Sequence, residues 1–554
     1  MKEIKKDKNN NSKELEEIKK EAINSHLQGD RVKALSLYKK YISSGKDDTL
    51  ILINIAQIYK DNGDISSAKK ILKKCIDKFP RFAISYIKYG QILKNEKKFL
   101  EAEELIKTGL SINENLPASL KWDSYQNLAY IYSKTDNLNE AELYLQKANN
   151  LKPNESISFS NLAYIYIKQN KLESAIKNAV KALTINPKDK IRFAIIEILK
   201  PSYISNINKK ILTRLLIILL NIDDIKHNEL FPVIKSLYKN KFLLNIIECN
   251  KDLSYSPEFN VLSKDQLIIN SLGKTIFFNM LWEFTFINIR KFLLSHILEN
   301  RKLLNVEYLP LLIGMAEQCF LNEYIYSNSQ EELNSIDKLI ENINLSKIKE
   351  EEEIFILLCY LPFQVLLEKI PLLESRQKEI KELNRLYNMQ IKERFVEEQL
   401  IKKINSIGNF NDEISKKVKS QYEAYPYPRW KNTFKLMPEE SMEINQVIES
   451  EIKTKNFKKY KLNNKKLNIL IAGCGTGQQI FFATRYKDAN ITAIDLSKKS
   501  LGYAQRKINE LGVKEVEVIN MDIQNIAMLN RKFDVIECGG VLHHMRDPLE
   551  GFDC

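Results

Sequence analysis

The chain has 554 residues, of which 44% are hydrophobic and 28% are charged, and its formal net charge is +14. This composition excludes wholesale disorder and is typical of a soluble protein with several domains, while the lysines are too evenly spread to indicate an acidic partner by themselves. Seven scattered cysteines without a CxxC pair argue against a disulfide framework or a zinc site and favour the reducing cytoplasm. Residues 1–14 mix lysines with acids and have no apolar core, which predicts a flexible tail rather than a targeting signal.

Small residues recur through residues 15–189 at two positions of a repeating unit. The steps between units are 34, 34, 39 and 34 residues, and the two positions lie 12 residues apart. Small side chains at this spacing are typical of two antiparallel helices that cross closely. The first position holds Ala22, Ala56, Gly90, Ala129 and Ala163, and the second holds Ala34, Ala68, Ala102, Ala141 and Ala175.

The pattern resembles the tetratricopeptide repeat, because Tyr59, Tyr132 or Tyr166 also follows the first position by three residues. The resemblance implies five repeats over residues 15–189, which form an all-α solenoid. Such arrays expose a concave groove, which implies a protein or peptide partner. A scaffold or self-association surface is an equally open interpretation, because the groove residues of one sequence do not identify a ligand.

Apolar residues at helical spacing continue through residues 190–420, which predicts an α-helical connecting domain. His227 and His296 are isolated here, and we interpret them as structural rather than as metal ligands. The most apolar stretch, Ile354 to Leu367, contains Pro362 and is too short to cross a membrane. No catalytic motif is recognisable in this region.

Residues 421–466 are first aromatic and then basic. The aromatic part, Gln421 to Trp430, is either a linker stiffened by Pro426 and Pro428 or a lid whose tyrosines face a bound cation. Lys453 to Lys466 contains seven lysines and no acid. A nucleic acid partner is one interpretation of this run, but a solvated linker is favoured because no nucleic-acid-binding fold accompanies it.

An apolar strand beginning at Leu467 leads into glycines 473, 475 and 477, which predicts a loop that binds a cofactor through its backbone. Helix patterns over Gln478–Tyr486 and Ser497–Leu511 alternate with three further strands. The second strand ends at Asp495, where a carboxylate suits the hydroxyls of a ribose. A dinucleotide-binding loop is disfavoured, because its GxGxxG spacing does not place the third glycine at position 477.

These motifs, in this order, resemble a class I S-adenosylmethionine-dependent methyltransferase. Together with the aromatic segment and the repeats, they resemble bacterial proteins that join tetratricopeptide repeats to such a domain. The resemblance implies that the glycines underlie the methionine part of the cofactor, Asp495 holds the ribose, Asp522 accepts from the adenine amino group, and Cys538 to Val541 border the sulfonium. The implied cofactor-binding residues are Gly473, Cys474, Gly475, Gly477, Asp495, Leu496, Met521, Asp522, Ile523, Cys538 and Gly539.

His543 and His544 follow the fourth strand and are the residues we consider for a general base. A capping or packing role is the favoured interpretation, because helix starts often use polar side chains in this way. Cys474 and Cys538 are interpreted as packing residues rather than nucleophiles.

The resemblance implies a Rossmann-like α/β domain over residues 467–554, with parallel strand order 3-2-1-4 and later strands missing. A domain truncated in this way is expected to be weakly active or inactive, because the missing strands carry the acceptor-facing loops. Two functions stay open: a methyltransferase whose repeats recruit a protein, peptide or small-molecule acceptor, or a repeat-based scaffold with a non-catalytic, cofactor-sensing module. The sequence does not identify the acceptor.

Overall fold

The computed structural model describes residues 2–112, 115–249, 253–300, 308–346, 351–409, 413–424, 426–433, 440–452, 457–461, 466–545 and 547–553. The chain forms two compact units, Met1–Ile195 and Ile196–Cys554. No described helix combines the length and the apolar character that a membrane crossing requires. The finer domain boundaries at residues 189, 420 and 466 stay predictions.

The first unit is a series of helical hairpins, as the repeat pattern predicts. Helix α1 begins at Lys2 and so covers the stretch predicted as a tail, because residues 2–14 contain no glycine or proline to end a helix. The hairpins are α1 (Lys2–Leu27) with α2 (Arg31–Ser43), α3 (Thr49–Asp61) with α4 (Ile65–Lys78), α5 (Ala83–Asn95) with α6 (Phe99–Ile112), α7 (Ala118–Lys134) with α8 (Leu138–Leu151), and α9 (Ser156–Lys168) with α10 (Leu172–Ile185).

The small residues of the repeat lie where paired helices pack most closely. All nine alanines of the pattern are at most 3% exposed. At Gly90 in α5, a Cβ would lie 2.6 Å from Cγ1 of Ile106 and 2.9 Å from the carbonyl oxygen of Ala102, both in α6. A larger side chain would therefore push the two helices apart.

The second unit begins with the predicted helical region. Its apolar stretch belongs to the core, since every residue from Ile354 to Leu358 is fully buried, and it is divided between two helices, which end at Leu358 and begin at Phe363. The helices of this region are α11 (Ile191–Ile198, which crosses the boundary between the units), α12 (Pro201–Ile204), α13 (Lys209–Leu220), α14 (Phe231–Ser236), α15 (Asn240–Ile247), α16 (Pro257–Leu262), α17 (Gln266–Leu272), α18 (Met280–Asn300), α19 (Leu309–Leu321), α20 (Gln330–Ser346), α21 (Glu351–Leu358), α22 (Phe363–Lys369), α23 (Leu373–Arg376), α24 (Lys381–Tyr387), α25 (Glu393–Ile401) and α26 (Glu413–Ala424).

His227 is a core residue of this region, 2% exposed, with Nε2 at 2.8 Å from the carbonyl oxygen of Ile222. Burial lowers its pKa from 6.5 to about 4. The unfolded chain therefore binds a proton at a higher pH than the folded chain does. We expect the contribution of His227 to the free energy of unfolding to be complete above pH 6.5 and to fall by about 3 kcal/mol as the pH drops toward 4.

Urea unfolding at a series of pH values, with His227→Gln as the comparison, measures this effect. The variant is expected to lose less stability than the parent chain between pH 6.5 and pH 4. Equal losses in the two proteins would contradict the assignment.

The second unit ends in a parallel sheet with strand order β1-β4-β3-β2-β5. The strands are β1 (Asn405–Ser406), β2 (Leu467–Ala472), β3 (Ala489–Asp495), β4 (Val516–Asn520) and β5 (Val535–Glu537). The helices around them are α27 (Ile444–Ile452), α28 (Gln478–Ala483), α29 (Lys498–Leu511) and α30 (Pro548–Asp553). Ser497 caps α29, because its Oγ accepts a hydrogen bond from the amide of Ser500 at 3.1 Å.

Both faces of the sheet are covered, which explains why β2 is apolar and buried from Ile469 to Ala472. Ile469 and Ile471 pack on one face in a core that includes Phe481 of α28 and Leu501 of α29. Leu470 faces a second core, formed with residues that include Met521. Strands buried on both faces are typical of parallel sheets.

Strand β1 was not predicted, because two residues are too short to show a sequence pattern. It pairs with β4, and the amide of Ile407 donates to the carbonyl oxygen of Asn520 at 3.0 Å. The chain before the aromatic segment thus covers the outer edge of β4.

Candidate functional site

The carboxyl ends of β2 to β5 open into a cavity of about 380 Å³. Strand β2 lies between β3 and β5, so the loops after β2 and β5 diverge to opposite sides and leave a crevice of the kind that binds ligands in α/β sheets. The cavity is lined by Ser415, Val418, Tyr422, Tyr427, Pro428, Gly473, Cys474, Gly475, Thr476, Gln478, Gln479, Ile494, Asp495, Leu496, Met521, Asp522, Ile523, Gly539, Gly540, Val541, His544 and Met545.

The loop after β2 exposes its backbone to the cavity. The amides of Gly473 and Cys474 both donate to the carbonyl oxygen of Ile494 at 2.9 Å, which fixes the start of the loop against β3. Gly475 has a φ of +52°, and a Cβ on it would meet no atom within 4 Å. A ligand can therefore approach this residue without a steric barrier.

The carboxylate of Asp495 lies at the end of β3 and faces the glycine loop. Its Oδ2 accepts a hydrogen bond from the amide of Gly475 at 2.8 Å, and its Oδ1 accepts one from the amide of Ser497 at 2.9 Å. Burial nevertheless raises the pKa of this carboxyl group above its ordinary value, with the nearby Glu423 adding to the rise. Burial thus destabilises the charged carboxylate of Asp495 as long as no further hydrogen-bond donor reaches it.

The turn after β4 places an acid between two apolar residues. Met521 is 1% exposed, Asp522 is 3% exposed and Ile523 is 9% exposed. Oδ1 of Asp522 accepts a hydrogen bond from the amide of Gln524 at 3.1 Å, which leaves its second oxygen for another donor.

The chain after β5 approaches the glycine loop from the other side. A Cβ on Gly473 would lie 2.2 Å from Cγ2 of Val541, so these backbones are close. Gly539 accepts a hydrogen bond from Nε2 of Gln479 at 3.0 Å. Burial raises the pKa of the thiols of Cys474 and Cys538, which agrees with a packing role and not with a nucleophilic one.

The two histidines differ in position. His544 lines the cavity, and its ring lies 6.4 Å from that of Tyr422, whereas His543 does not line the cavity. Both side chains are exposed. Within the described part of the chain, no three histidine, cysteine or carboxylate side chains are grouped to hold a metal ion.

The aromatic segment packs directly on the glycine loop. We call residues 426–433 the strap. Oγ1 of Thr476 donates to the carbonyl oxygen of Pro428 at 2.8 Å, and Nε1 of Trp430 donates to the carbonyl oxygen of Thr476 at 3.1 Å. Trp430 is 2% exposed and lies between the rings of Phe481 and Tyr503. The strap is therefore packed and hydrogen-bonded in place as part of the cavity wall.

The strap is also tied to the helical region by ion pairs. Arg429 pairs with Glu323 and, at 3.8 Å, with Glu397, and Nζ of Lys431 lies 2.9 Å from Oε2 of Glu317. Arg429 is 5% exposed, so these charges are removed from water. The helical region thus holds the segment that shapes the cavity.

Comparison with known proteins finds family models that match two parts of this chain. A family model for the methyltransferase domain matches residues 469–552, and a model for the tetratricopeptide repeat matches residues 50–77, 123–155 and 158–189. The chain joins tetratricopeptide repeats to a methyltransferase domain. The methyltransferase match coincides with the sheet and the cavity described above, and the domain implies a methyl donor as cofactor.

Similar curated proteins include an uncharacterised protein of Synechococcus, 41% identical over 85 residues, which are 15% of this chain and 20% of that protein. A malonyl-[acyl-carrier protein] O-methyltransferase of Acetivibrio thermocellus is 40% identical over 72 residues, 13% of this chain and 24% of the relative. A probable (S)-tetrahydroprotoberberine N-methyltransferase of Papaver bracteatum is 30% identical over 80 residues, 14% and 22% of the two chains. The chain thus spans about a fifth to a quarter of the length of these relatives.

Similar solved structures include residues 41 to the end of MamA from Desulfovibrio magneticus RS-1, with 17% identity and a TM-score of 0.29, covering 32% of this chain and 97% of that one. YrrB, described as a tetratricopeptide protein with an unusual peptide-binding site, has 17% identity and a TM-score of 0.28, covering 33% and 91%.

Most of the residues predicted for the methyltransferase site lie around the cavity. Three do not line it: Gly477, Cys538 and His543. Gly477 instead caps α28, and a Cβ there would lie 2.8 Å from Cβ of Ala504, so this glycine permits close packing of α28 on α29. The roles of the lining residues toward a cofactor stay predictions.

Several residues that line the cavity come from before the methyltransferase domain and were not among the predicted site residues. Tyr422, Tyr427 and Pro428 belong to the aromatic segment, for which the sequence left a stiffened linker and a lid facing a bound cation as open interpretations. Ser415 and Val418, on α26, carried no sequence signal. Of the basic run, residues 453–456 and 462–465 lie outside the described residues, and the hydroxyl of Tyr460 donates to Asp534 rather than facing solvent.

Proposed function

We propose that the methyltransferase domain binds S-adenosylmethionine and transfers its methyl group to an acceptor. The observation that carries the proposal is the convergence of Gly475, Asp495 and Asp522 on one cavity from the ends of three neighbouring strands. Two carboxylates beside an open glycine backbone suit a ligand that carries ribose hydroxyls and an adenine amino group.

The residues present fit this ligand. Each oxygen of Asp495 accepts one amide hydrogen and keeps a further lone pair for a ribose hydroxyl. Asp522 would accept from the adenine amino group, with Met521 and Ile523 as apolar neighbours of the ring. Gly475 would lie beside the methionine part, and the cavity volume is within the roughly 300–1,000 Å³ of small-molecule sites.

When bound, S-adenosylmethionine supplies a methyl group on a positively charged sulfur. The chain then has to position an acceptor and exclude water from it. Tyr422 and Tyr427 line the cavity with aromatic rings that suit a cationic ligand. Because His544 lines the cavity and His543 does not, we propose His544 as the group that takes a proton from an acceptor that arrives protonated.

A matched pair of glycine substitutions tests the binding site. Gly475 and Gly512 have positive φ values of +52° and +61°, and neither has an atom within 4 Å of an added Cβ. Only Gly475 lines the cavity, since Gly512 ends α29. We expect Gly475→Leu to abolish measurable binding of S-adenosylmethionine in calorimetry, whereas Gly512→Leu retains it, although both leucines introduce similar backbone strain of about 1–2 kcal/mol.

Equal binding by both variants would refute the site. Failure of the parent chain to bind S-adenosylmethionine or S-adenosylhomocysteine would favour the alternative function, a repeat-based scaffold whose methyltransferase module is not catalytic. Titration with a nicotinamide dinucleotide serves as the specificity control, because the glycine spacing disfavours that ligand.

We propose further that the repeats recruit a protein or peptide that is the acceptor or its carrier. Equivalent positions in consecutive repeats support this role. Tyr130 of α7 and Tyr164 of α9 lie 34 residues apart and are 46% and 37% exposed. Two partly exposed aromatic rings at equivalent positions of neighbouring repeats suit contact with a peptide segment.

A further inference from the structure

A second cavity, of about 560 Å³, lies on the other side of the strap from the cavity proposed to bind S-adenosylmethionine, which we call the methyl-donor cavity. Tyr427 and Pro428 line the first cavity, whereas Arg429, Lys431 and Asn432 line the second. The remaining wall comes from helices of the same unit, chiefly α19, α24 and α29. Its volume is that of a small-molecule site, and no sequence motif pointed to it.

The lining of this cavity is strongly basic. Five cationic side chains face one carboxylate, that of Glu393, whose pKa is raised by burial. The cations are Lys381, Arg385, Arg429, Lys431 and Lys507. An excess of this size in a partly enclosed space creates a positive potential.

Ion pairs behind the wall reduce the excess without removing it, because among the described residues six cations share five carboxylates: Arg385, Arg394, Arg429, Lys431, Arg506 and Lys507 pair with Glu317, Glu323, Glu393, Glu397 and Glu510. Glu317 pairs with both Arg385 and Lys431, and Glu323 with both Arg394 and Arg429. Glu397 is shared by Arg429 and Arg506, and Glu510 by Arg506 and Lys507. Lys381 is exposed and forms no ion pair with any residue that the structure describes.

Helix α24 and Asn388, the first residue of the π-helical turn that follows it, present a row of polar side chains to the cavity. Lys381, Asn384, Arg385 and Asn388 recur at positions i, i+3, i+4 and i+7, so they share one helical face, and all four line the cavity. The guanidinium of Arg385 is 58% exposed and can offer two parallel N–H donors to an oxyanion. Its ion-pair partner among the described residues, Glu317, also pairs with Lys431.

We propose that this cavity binds a phosphate group, either free phosphate or the phosphate of a small monoester, through Lys381 and Arg385 with Lys431 as a further charge. A doubly charged oxyanion offsets the cation excess, and its tetrahedral oxygens accept from guanidinium, ammonium and carboxamide donors together. The site is separate from the methyl-donor cavity and does not depend on the function proposed for it.

Calorimetric titration of the full chain with inorganic phosphate and with glycerol 3-phosphate, at constant ionic strength set by sodium chloride, tests the site. We expect saturable binding, and we expect Lys381→Met/Arg385→Met to weaken it by about tenfold or more. Tighter binding of glycerol 3-phosphate would indicate a monoester ligand, and equal or tighter binding of inorganic phosphate would indicate the free ion.

The control is Lys239→Met/Lys241→Met, which removes two positive charges from the exposed surface of the same unit and should bind as the parent chain does. Lys381→Met alone keeps the test valid if the double variant does not fold, because Lys381 is exposed and outside the ion pairs. No saturable binding up to about 10 mM, or equal binding by the cavity variants and the parent, would overturn the proposal.

Discussion

Asp495→Ala is expected to weaken the binding of S-adenosylmethionine by about 100-fold. A carboxylate that accepts hydrogen bonds from a ligand contributes about 1.5–3 kcal/mol for each bond, and Asp495 has lone pairs left for two. Burial raises the pKa of this carboxyl group, so its charge is unfavourable until a ligand supplies donors. The loss should therefore appear in ligand affinity more than in thermal stability.

Calorimetry on the parent chain and on Asp495→Ala measures the effect, and Glu449→Ala, which removes an exposed acid from α27, is the control. The raised pKa adds a pH test. Protonation removes the charge that accepts the ribose hydroxyls, so affinity should fall as the pH is lowered through a value above the ordinary 3.8 of an aspartate. An unchanged affinity in Asp495→Ala would exclude the proposed role.

Arg506→Met is expected to lower the free energy of unfolding of the second unit by about 3–5 kcal/mol. Arg506 of α29 is 4% exposed, and it pairs with Glu393 at 3.0 Å, with Glu397 at 2.9 Å and with Glu510. Helices α25 and α29 are very close here, since a Cβ on Gly502 would lie 2.6 Å from Cγ1 of Ile401. Without the guanidinium, two carboxylates of α25 lose their main partner in a place that water reaches poorly.

Arg531→Met provides the comparison, because Arg531 pairs with Glu517 on the surface, where the two side chains are 47% and 46% exposed. An exposed pair of this kind contributes about 0–1 kcal/mol. Urea unfolding of both variants should therefore separate them clearly. If Arg506→Met were no less stable than Arg531→Met, the junction of α25 and α29 would not depend on its buried ion pairs.

The strap links the ion pairs of Arg506 to the cavity that Asp495 lines. Arg429 shares Glu397 with Arg506, and the residues next to it, Pro428 and Trp430, hold Thr476 of the glycine loop. Loosening of the α25–α29 junction is therefore expected to disturb the methyl-donor cavity as well. In this architecture the helical region is part of the support of the site and not a separate spacer.

The sequence predicted the structure best where packing or function requires one type of residue at a fixed spacing. The alanines of the repeats and Gly90 identify the helical hairpins, because only small side chains fit where the helices cross. In the methyltransferase domain, Asp495 and Asp522 could be predicted because each follows a recognisable apolar strand, and parallel strands bring their carboxyl ends to one edge.

Contacts between segments that are distant in sequence were not predictable in this way. Strand β1 pairs with a strand more than 100 residues later, and the strap binds the glycine loop 46 to 48 residues later. Neither segment has a local sequence pattern that identifies the segment it contacts. The aromatic residues of the strap indicated that it is buried, but they did not indicate which surface it packs against.

The sequence by itself determined the repeats, the parallel strands and the motif residues of the methyltransferase domain, because local periodicity and loop chemistry are read from neighbouring residues. Only the tertiary structure decided that the strap forms a wall of the cavity at the carboxyl ends of β2 to β5 and that His544 and not His543 lines that cavity. It also decided that five cationic side chains line a second cavity. These arrangements depend on packing between distant segments, where burial and shared ion pairs select one geometry among many that the local sequence allows.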